Sequence, residues 1–281
     1  MSFRKGGNMA ADLHLHTTAS DGKWTPEELI TQVQKTNLTT IAITDHDTVD
    51  GVLPCIAAAM GSDLEIIPGI ELNTEHNNRD VHILGYWIRL NNEQLIETLQ
   101  YRREQRAERG KTIIERLNQL GINIGFDKVQ ELAGDGVIGR AHIARILLEE
   151  GYVESINEAF DKFLARNKPA FVPYQKLTPK EAIKLVLSAG GIPVLAHPGL
   201  MGDDNLIKEL VEYGLAGIEA VYPSHSQEET NKYLRICEEY QLCPTGGSDC
   251  HGNIDKDHTA LGSISIPAEW VAQLKARWLN S

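Results

Sequence analysis

Between Asp12 and Gly22 the chain reads DLHLHTTASDG. Alternate residues of an extended strand point to the same side, so His14 and His16 share a face with Asp12, while Leu13 and Leu15 take the other. Two imidazoles on one face of a strand, with acids before and after them, are a donor set for a divalent metal ion. Further donors recur after apolar runs: Asp45, His46 and Asp47 after TTIAIT, Glu71 after LEIIPGI, His197 after IPVLA, His225 after AVYPS, and Asp249 and His251 after CPTGG, with His82 opening a run of its own. One strand-end histidine is more often a satisfied structural group than a ligand. Seven that recur in this way, beside carboxylates, are not explained so.

The donor types narrow the chemistry. Imidazole with carboxylate and without thiolate suits Mn²⁺, Fe²⁺ or Zn²⁺. A catalytic ion rarely takes more than about four protein ligands, so a set of this size implies two ions or three. Clustered ions about 3.5–4 Å apart serve phosphoester hydrolysis, because they lower the pKa of a bound water from about 15.7 to near 7 and neutralise charge on the transferring phosphoryl group. Other residues read more plainly. Asp12 is expected to support the ligands by hydrogen bonding. His76 and His258 lie in polar loops and read as solvated, Asp47 and Asp50 as caps of the helix after the second strand, and Cys250 as packing.

The elements that must hold these residues alternate. Strand-like runs are ADLHLH, TTIAITDH, LEIIPGIEL, VHILGYWI, IPVLAH, AGIEAVY and CPTGGSD, several of them continuously apolar, as strands covered on both faces are. Helices between them start at marked caps: Thr25-Pro26-Glu27-Glu28, Thr178-Pro179-Lys180-Glu181 and Ser226-Gln227-Glu228-Glu229. This alternation predicts parallel strands in an α/β fold closed into a barrel, with the donors gathered on the rim at the C-terminal strand ends. From about residue 92 to 168 no strand is evident. NEQLIETLQYRREQRAERGKTIIERLNQL predicts a long amphipathic helix, followed by shorter ones. The barrel is thus expected over residues 10–91 and 169–281, with an inserted helical subdomain over 92–168 that contributes to substrate binding. Arg102, Arg103, Arg106, Arg109 and Lys111 in the long helix are interrupted by Glu104 and Glu108 and read as a solvated face.

Composition sets outer bounds. With 281 residues, 42% apolar and 23% charged, the chain is cored and globular. A formal charge of −12 argues against a general nucleic-acid or membrane coat, and no apolar run approaches a membrane span. The N-terminal MSFRKGGNMA lacks an apolar signal core, and the four cysteines lack C-x-x-C spacing; both point to a cytoplasmic protein with reduced thiols.

Taken together and in order, DLHLHTTASDG, TDHD, PGIEL, VHILGY, LAHPG and GGSDCHG resemble the polymerase-and-histidinol-phosphatase (PHP) family of metal phosphoesterases. The resemblance implies a distorted seven-stranded barrel with a metal cluster at its C-terminal rim. It implies a first ion held by His14, His16, Glu71 and Asp249, a second bridged by Glu71 and held by His82 and His197, and a third on His46 and His251. Several family members place a histidine at that third site where this sequence has Asp21, which makes it a carboxylate-bearing variant. GVIGRAHIARIL resembles the G-R-P-H-I-A segment of the nucleotide-directed branch, with Ala141 in place of proline. By that likeness Arg140 is a phosphate clamp and His142 a helper contact.

The expected reaction is attack of a metal-bridging hydroxide on phosphorus, with Mn²⁺ the favoured ion. Arg140 and His225 would stabilise the phosphoryl oxygens, His225 or another group would protonate the leaving oxygen, and Asp249 would assist proton movement. The implied substrate is a small phosphorylated nucleotide, foremost the 3′-phosphate of a 3′,5′-nucleoside bisphosphate, or a short oligoribonucleotide trimmed from its 5′ end; neither a membrane nor long duplex nucleic acid is expected as partner. Histidinol phosphate is the alternative substrate, and a catalytically silent metal-containing regulatory module the alternative of another class. Amide hydrolysis, which H-x-H barrels also perform, is disfavoured by Arg140 and His225.

Overall fold

The computed structural model describes residues 10–134, 136–252 and 261–280. In chain order the elements are β1 (Ala10–Leu15), α1 (Pro26–Val33), β2 (Leu38–Ile43), α2 (Val52–Ala58), β3 (Glu65–His76), β4 (Arg79–Tyr86), α3 (Glu93–Gln119), α4 (Phe126–Ala133), α5 (Arg140–Glu149) and α6 (Ile156–Ala159), which runs into a π-turn at Phe160–Leu164. There follow α7 (Pro179–Ser188), β5 (Ile192–Leu195), α8 (Pro198–Met201), α9 (Leu206–Glu212), β6 (Gly217–Val221), α10 (Gln227–Tyr240), β7 (Cys243–Gly246), β8 (Ile266–Pro267) and α11 (Ala268–Leu279). The three expected capping boxes are present at α1, α7 and α10.

The strands form one sheet in the order β7-β6-β5-β4-β3-β2-β1-β8, curled until its ends nearly meet. Closure runs from β1 to the segment after β7: the His16 N–H donates to the Cys250 carbonyl at 3.1 Å, and Asp12 accepts from the Ser248 N–H at 2.9 Å and its hydroxyl at 2.6 Å. All seven expected strands are present. The eighth is a two-residue strand antiparallel to Ala10 and Ala11, too short to leave a sequence pattern.

The expectation of a wholly parallel barrel needs correction. β4 runs antiparallel to both β3 and β5. The cause lies at Asn77 and Asn78, which both adopt positive φ (48° and 65°) and make the two-residue hairpin that asparagine tolerates. Because β4 runs the other way, its early residues reach the rim, and His82 lies opposite Asn73, two residues beyond Glu71.

The helices between β4 and α7 gather their own apolar cluster, including Ile114, Leu117, Val129, Ile143 and Leu147. α3 belongs to both bodies: Leu95 and Leu99 pack in the barrel core, Ile113 and Leu117 in the insertion. A second correction concerns its basic residues. Arg102 is only 3% exposed, and both Arg102 and Arg106 point inward to the buried Asp47. Their i, i+4 spacing puts them on one helical face, while Arg103 and Lys111 turn outward, 3.1 Å from Asp50 and 3.3 Å from Glu108. Asp47 therefore caps nothing; α2 starts at Val52 behind Gly51.

Candidate metal centre

Glu71 occupies the middle of the rim and is fully buried. Its Oε2 lies 3.1 Å from His14 Nε2, 3.3 Å from His16 Nε2 and 2.9 Å from His46 Nδ1. Its Oε1 lies 2.7 Å from His82 Nδ1 and 3.1 Å from His197 Nε2. Asp249 Oδ1 approaches His16 Nε2 at 2.9 Å and His14 Nε2 at 3.3 Å, and Asp21 Oδ1 lies 3.2 Å from His251 Nε2. Among the described residues the donors fall into three overlapping groups: His14, His16, Glu71 and Asp249; His46, Glu71 and His82; and His16, Asp21, His46 and His251. His46 thus stands between the second and third groups, and His197 reaches the centre through Glu71.

These groups have the features of a cation site. His16 Nδ1 and Nε2, His46 Nδ1, Asp21 Oδ1 and Asp249 Oδ1 are buried without an aligned hydrogen bond, although opposite partners lie close. Leaving such atoms unsatisfied costs about 1–3 kcal/mol each, and a cation at their convergence removes that cost. Burial alone would raise the pKa of Glu71, yet His46, His14 and His82 hold it well below the usual carboxylate range. Asp249 is held down likewise against burial, by His14, His16 and His251. Burial depresses His82, which keeps an imidazole lone pair available. Deprotonated carboxylates beside imidazoles suit a divalent ion of the Mn²⁺, Fe²⁺ or Zn²⁺ type.

The backbone sets this geometry. The Asp47 N–H donates to the Glu71 carbonyl at 2.9 Å, and the Glu71 N–H to the Asp45 carbonyl at 3.2 Å, tying the loop after β2 to β3. His197 and Asp249 adopt positive φ (24° and 51°), a conformation concentrated at functional sites. A Cβ on Gly247 would stand 2.3 Å from the His14 Cβ, so only glycine lets this segment close against β1.

Further residues support the cluster, of which Glu219 and Tyr222 went unmarked in the sequence. Glu219, fully buried on β6, has Oε1 at 3.0 Å from His14 Nδ1, and its Oε2 accepts from the His197 N–H at 2.8 Å. An acid inside the apolar run AGIEAVY was the available signal. Asp45 accepts from the Thr17 N–H and hydroxyl, each at 2.7 Å, and from Ser20 at 2.6 Å, fixing the loop that carries Asp21. The Tyr222 hydroxyl donates to Asp249 Oδ2 at 3.0 Å. Asp12 supports the rim through Ser248 and the His14 N–H rather than through an imidazole ring.

The remaining expected residues are dispersed. His225 is not brought to the cluster: its Nδ1 faces the Ala220 carbonyl at 3.0 Å and its Nε2 accepts from the Gly199 N–H at 3.1 Å, which occupies both nitrogens. His142 is buried, and its Nδ1 accepts from the Gly139 N–H at 3.1 Å, so it braces the start of α5. His76 stands at the β3–β4 hairpin beside Asn77, and His258 lies outside the described residues. Arg140 lines a cavity of about 620 Å³ together with Arg109, Arg166, Lys176, Asp80 and Tyr174. Phe160 and Phe171 complete its aromatic walls. Asp80 lies two residues before His82 on β4, so the two side chains share a face and the cavity adjoins the rim.

Within that cavity Lys176 pairs with Asp80 and Arg166 with Glu75. Arg109 and Arg140 make no ion pair among the described residues; their hydrogen bonds go to the carbonyls of Val172 (2.7 Å) and Leu164 (3.1 Å). Burial and the nearby Arg140 lower Arg109 to about 10. Arg140 is lowered too, by burial and by Arg106 against the pull of Asp80. Such an excess of positive charge in a concave site attracts anions.

Comparison with known proteins agrees with this geometry. Residues 12–178 match the PHP domain. The chain is 35% identical over 247 residues to the 5′-3′ exoribonuclease Rnm of Escherichia coli K12, covering 85% of this chain and 84% of that protein. It is 33% identical over 280 residues to the 3′,5′-nucleoside bisphosphate phosphatase of Chromobacterium violaceum, covering 96% and 98%. A crystal structure from Bifidobacterium adolescentis superposes with a TM-score of 0.88 at 29% identity, over 97% of this chain and 98% of the other. With a matched domain over more than half its length, and with the donor cluster in place, the chain belongs to the PHP domain family, as a metal-dependent hydrolase of phosphoester bonds.

Proposed function

We propose that the substrate is a nucleotide bearing two phosphates: the 3′-phosphate of a 3′,5′-nucleoside bisphosphate is hydrolysed at the rim, and the same site trims short 5′-phosphorylated RNA. The observation that carries this reading is the cavity of Arg109, Arg140, Arg166 and Lys176 beside the donor cluster. Arginine binds a phosphate through a planar, bidentate fork. Phe160, Phe171 and Tyr174 line the same cavity, each with an arginine guanidinium over its ring, which holds those cations in place. The names of the Escherichia coli and Chromobacterium violaceum relatives support the same substrate class. Histidinol phosphate carries a single phosphate and a cationic amine, which a surplus of arginine repels.

His14, His16, Glu71, Asp249, His46, His82, His197, Asp21 and His251 are the proposed holders of two or three ions, Mn²⁺ foremost. Bound metal supplies an acidified water and positive charge against the phosphoryl oxygens. The protein's own groups do the rest. Glu219 sets the His14 ring so that Nε2 faces Glu71 and Asp249. Asp249, 18% exposed against none for Glu71, would hold metal through Oδ1 and assist proton movement at the rim. Arg140 holds the phosphate that does not react.

Assays of the Mn²⁺-supplemented protein on 3′,5′-nucleoside bisphosphate, 3′-mononucleotide, a 5′-phosphorylated short oligoribonucleotide and histidinol phosphate test this proposal. The highest kcat/KM is expected on the bisphosphate, with measurable trimming of the oligoribonucleotide. A higher value on histidinol phosphate would overturn the nucleotide reading.

A further inference from the structure

Asp47 follows the candidate ligand His46, and its φ of 52° turns its side chain away from the cluster. The fully buried carboxylate receives three groups. From β3, the Asn73 N–H and amide donate at 3.1 and 3.3 Å. From α3, Arg106 Nε donates at 3.0 Å and Arg102 Nε lies 3.4 Å away. Arg102 extends further, donating to the Asn73 carbonyl at 3.1 Å and to the Tyr174 hydroxyl at 2.9 Å. Tyr174 is a wall of the cationic cavity, and the guanidinium carbons of Arg102, Arg106 and Arg109 lie 5.6, 5.8 and 4.9 Å from its ring centre.

One carboxylate therefore joins three bodies: the β2 loop that carries His46, the β3 segment two residues beyond Glu71, and the helix whose arginines and Tyr174 shape the cavity. We propose that Asp47, through Arg102 and Arg106, is a positioning residue that fixes the cavity of the insertion against the metal rim and so sets selectivity for substrates with a second phosphate. The ion pair is isolated from water, and its two arginines leave α3 by i, i+4 spacing, so that rotation or sliding of the helix breaks both contacts together. This selectivity rests on the nucleotide reading given above; the mechanical joint does not.

The test uses the full-length, metal-loaded protein with Asp47→Asn, and with Arg106→Gln as a milder variant that leaves Asp47 paired with Arg102. Hydrogen exchange reads the joint directly. Amides of α3 around residues 100–112 should exchange at least tenfold faster in both variants, while strands β5 to β7 keep wild-type protection. The ratio of kcat/KM for 3′,5′-nucleoside bisphosphate over 3′-mononucleotide should fall at least fivefold, through KM more than kcat, and Arg106→Lys should recover part of it. Unchanged exchange in α3 overturns the joint. A loosened α3 with an unchanged ratio overturns its role in selectivity. A wild-type protein with no preference for the bisphosphate overturns the proposed substrate instead, and the exchange measurement still decides the joint.

Discussion

The rim and the cationic cavity adjoin each other, yet they are built on opposite principles. At the rim, carboxylates and imidazoles crowd around Glu71, with buried atoms that find no aligned hydrogen bond. In the cavity, guanidinium groups gather with Arg109 and Arg140 facing backbone carbonyls and aromatic rings rather than carboxylates. The rim gathers metal-ligating donors, and the cavity gathers more cations than its Asp80 and Glu75 balance. On the proposed reading, a phosphate ester with a second phosphate would use the rim and the cavity together. The two also differ in support: rim residues sit on strands or in the loops that follow them, braced by Glu219, Asp45 and Asp12, whereas the cavity's cations come from α3, α5 and the segment between the π-turn and α7, facing Glu75 of β3 and Asp80 of β4. On the proposed reading, chemistry belongs to the rim and selectivity to the inserted part.

The sharpest way to break this division is at Glu71. Glu71→Gln keeps the shape but removes the charge that five imidazoles approach; turnover of every phosphoester should fall by at least about a thousandfold, in line with the several kcal/mol that metal-assisted stabilisation supplies. A variant that lost only the bisphosphate would contradict the division. Arg140→Ala comes next. Loss of a charge-assisted contact costs about 2–4 kcal/mol, or roughly thirty- to a thousandfold in kcat/KM on the bisphosphate. Metal content should stay intact and the 3′-mononucleotide suffer much less; equal loss on both would move Arg140 to the transferred phosphate. The smallest effect belongs to Glu219→Gln. Both of its partners, the His14 ring and the His197 N–H, require an acceptor, and an amide offers only one such oxygen. Metal affinity should weaken about ten- to a hundredfold, as expected when the partner behind a ligating histidine is lost, with saturating metal restoring most of the activity. Titration calorimetry that found unaltered affinity would make Glu219 a packing residue.

The rim was legible because each strand ends in residues whose type announces their chemistry. The H-x-H of β1 needs only the twofold alternation of a strand to place both rings together, and Glu71 and Asp249 follow apolar runs that end where a rim must be. The reversed β4 was not legible, because His82 reads equally well at either end of a strand until the Asn77–Asn78 turn is taken as a hairpin. The basic stretch of α3 misled for a different reason. Interspersed glutamates gave it the composition of a solvated helix, while its periodicity set Arg102, Arg106 and Arg109 on one side and Arg103 on another. Glu219 was hidden by its neighbours, since a carboxylate in an apolar strand has no visible partner until β1 and β5 lie beside it. His225 shows the converse: its type and position suggested chemistry, and the backbone of Gly199 and Ala220 occupies it.

The central claim is that the cluster around Glu71 is a multinuclear metal site. The most direct measurement is elemental analysis of the purified protein after reconstitution with excess Mn²⁺ and removal of unbound ion, for wild type and Glu71→Gln side by side. Two or three ions per wild-type chain are expected and at least one fewer in the variant, with the wild-type fold retained by circular dichroism. At most one ion in the wild type, or an equal number in both proteins, would contradict it.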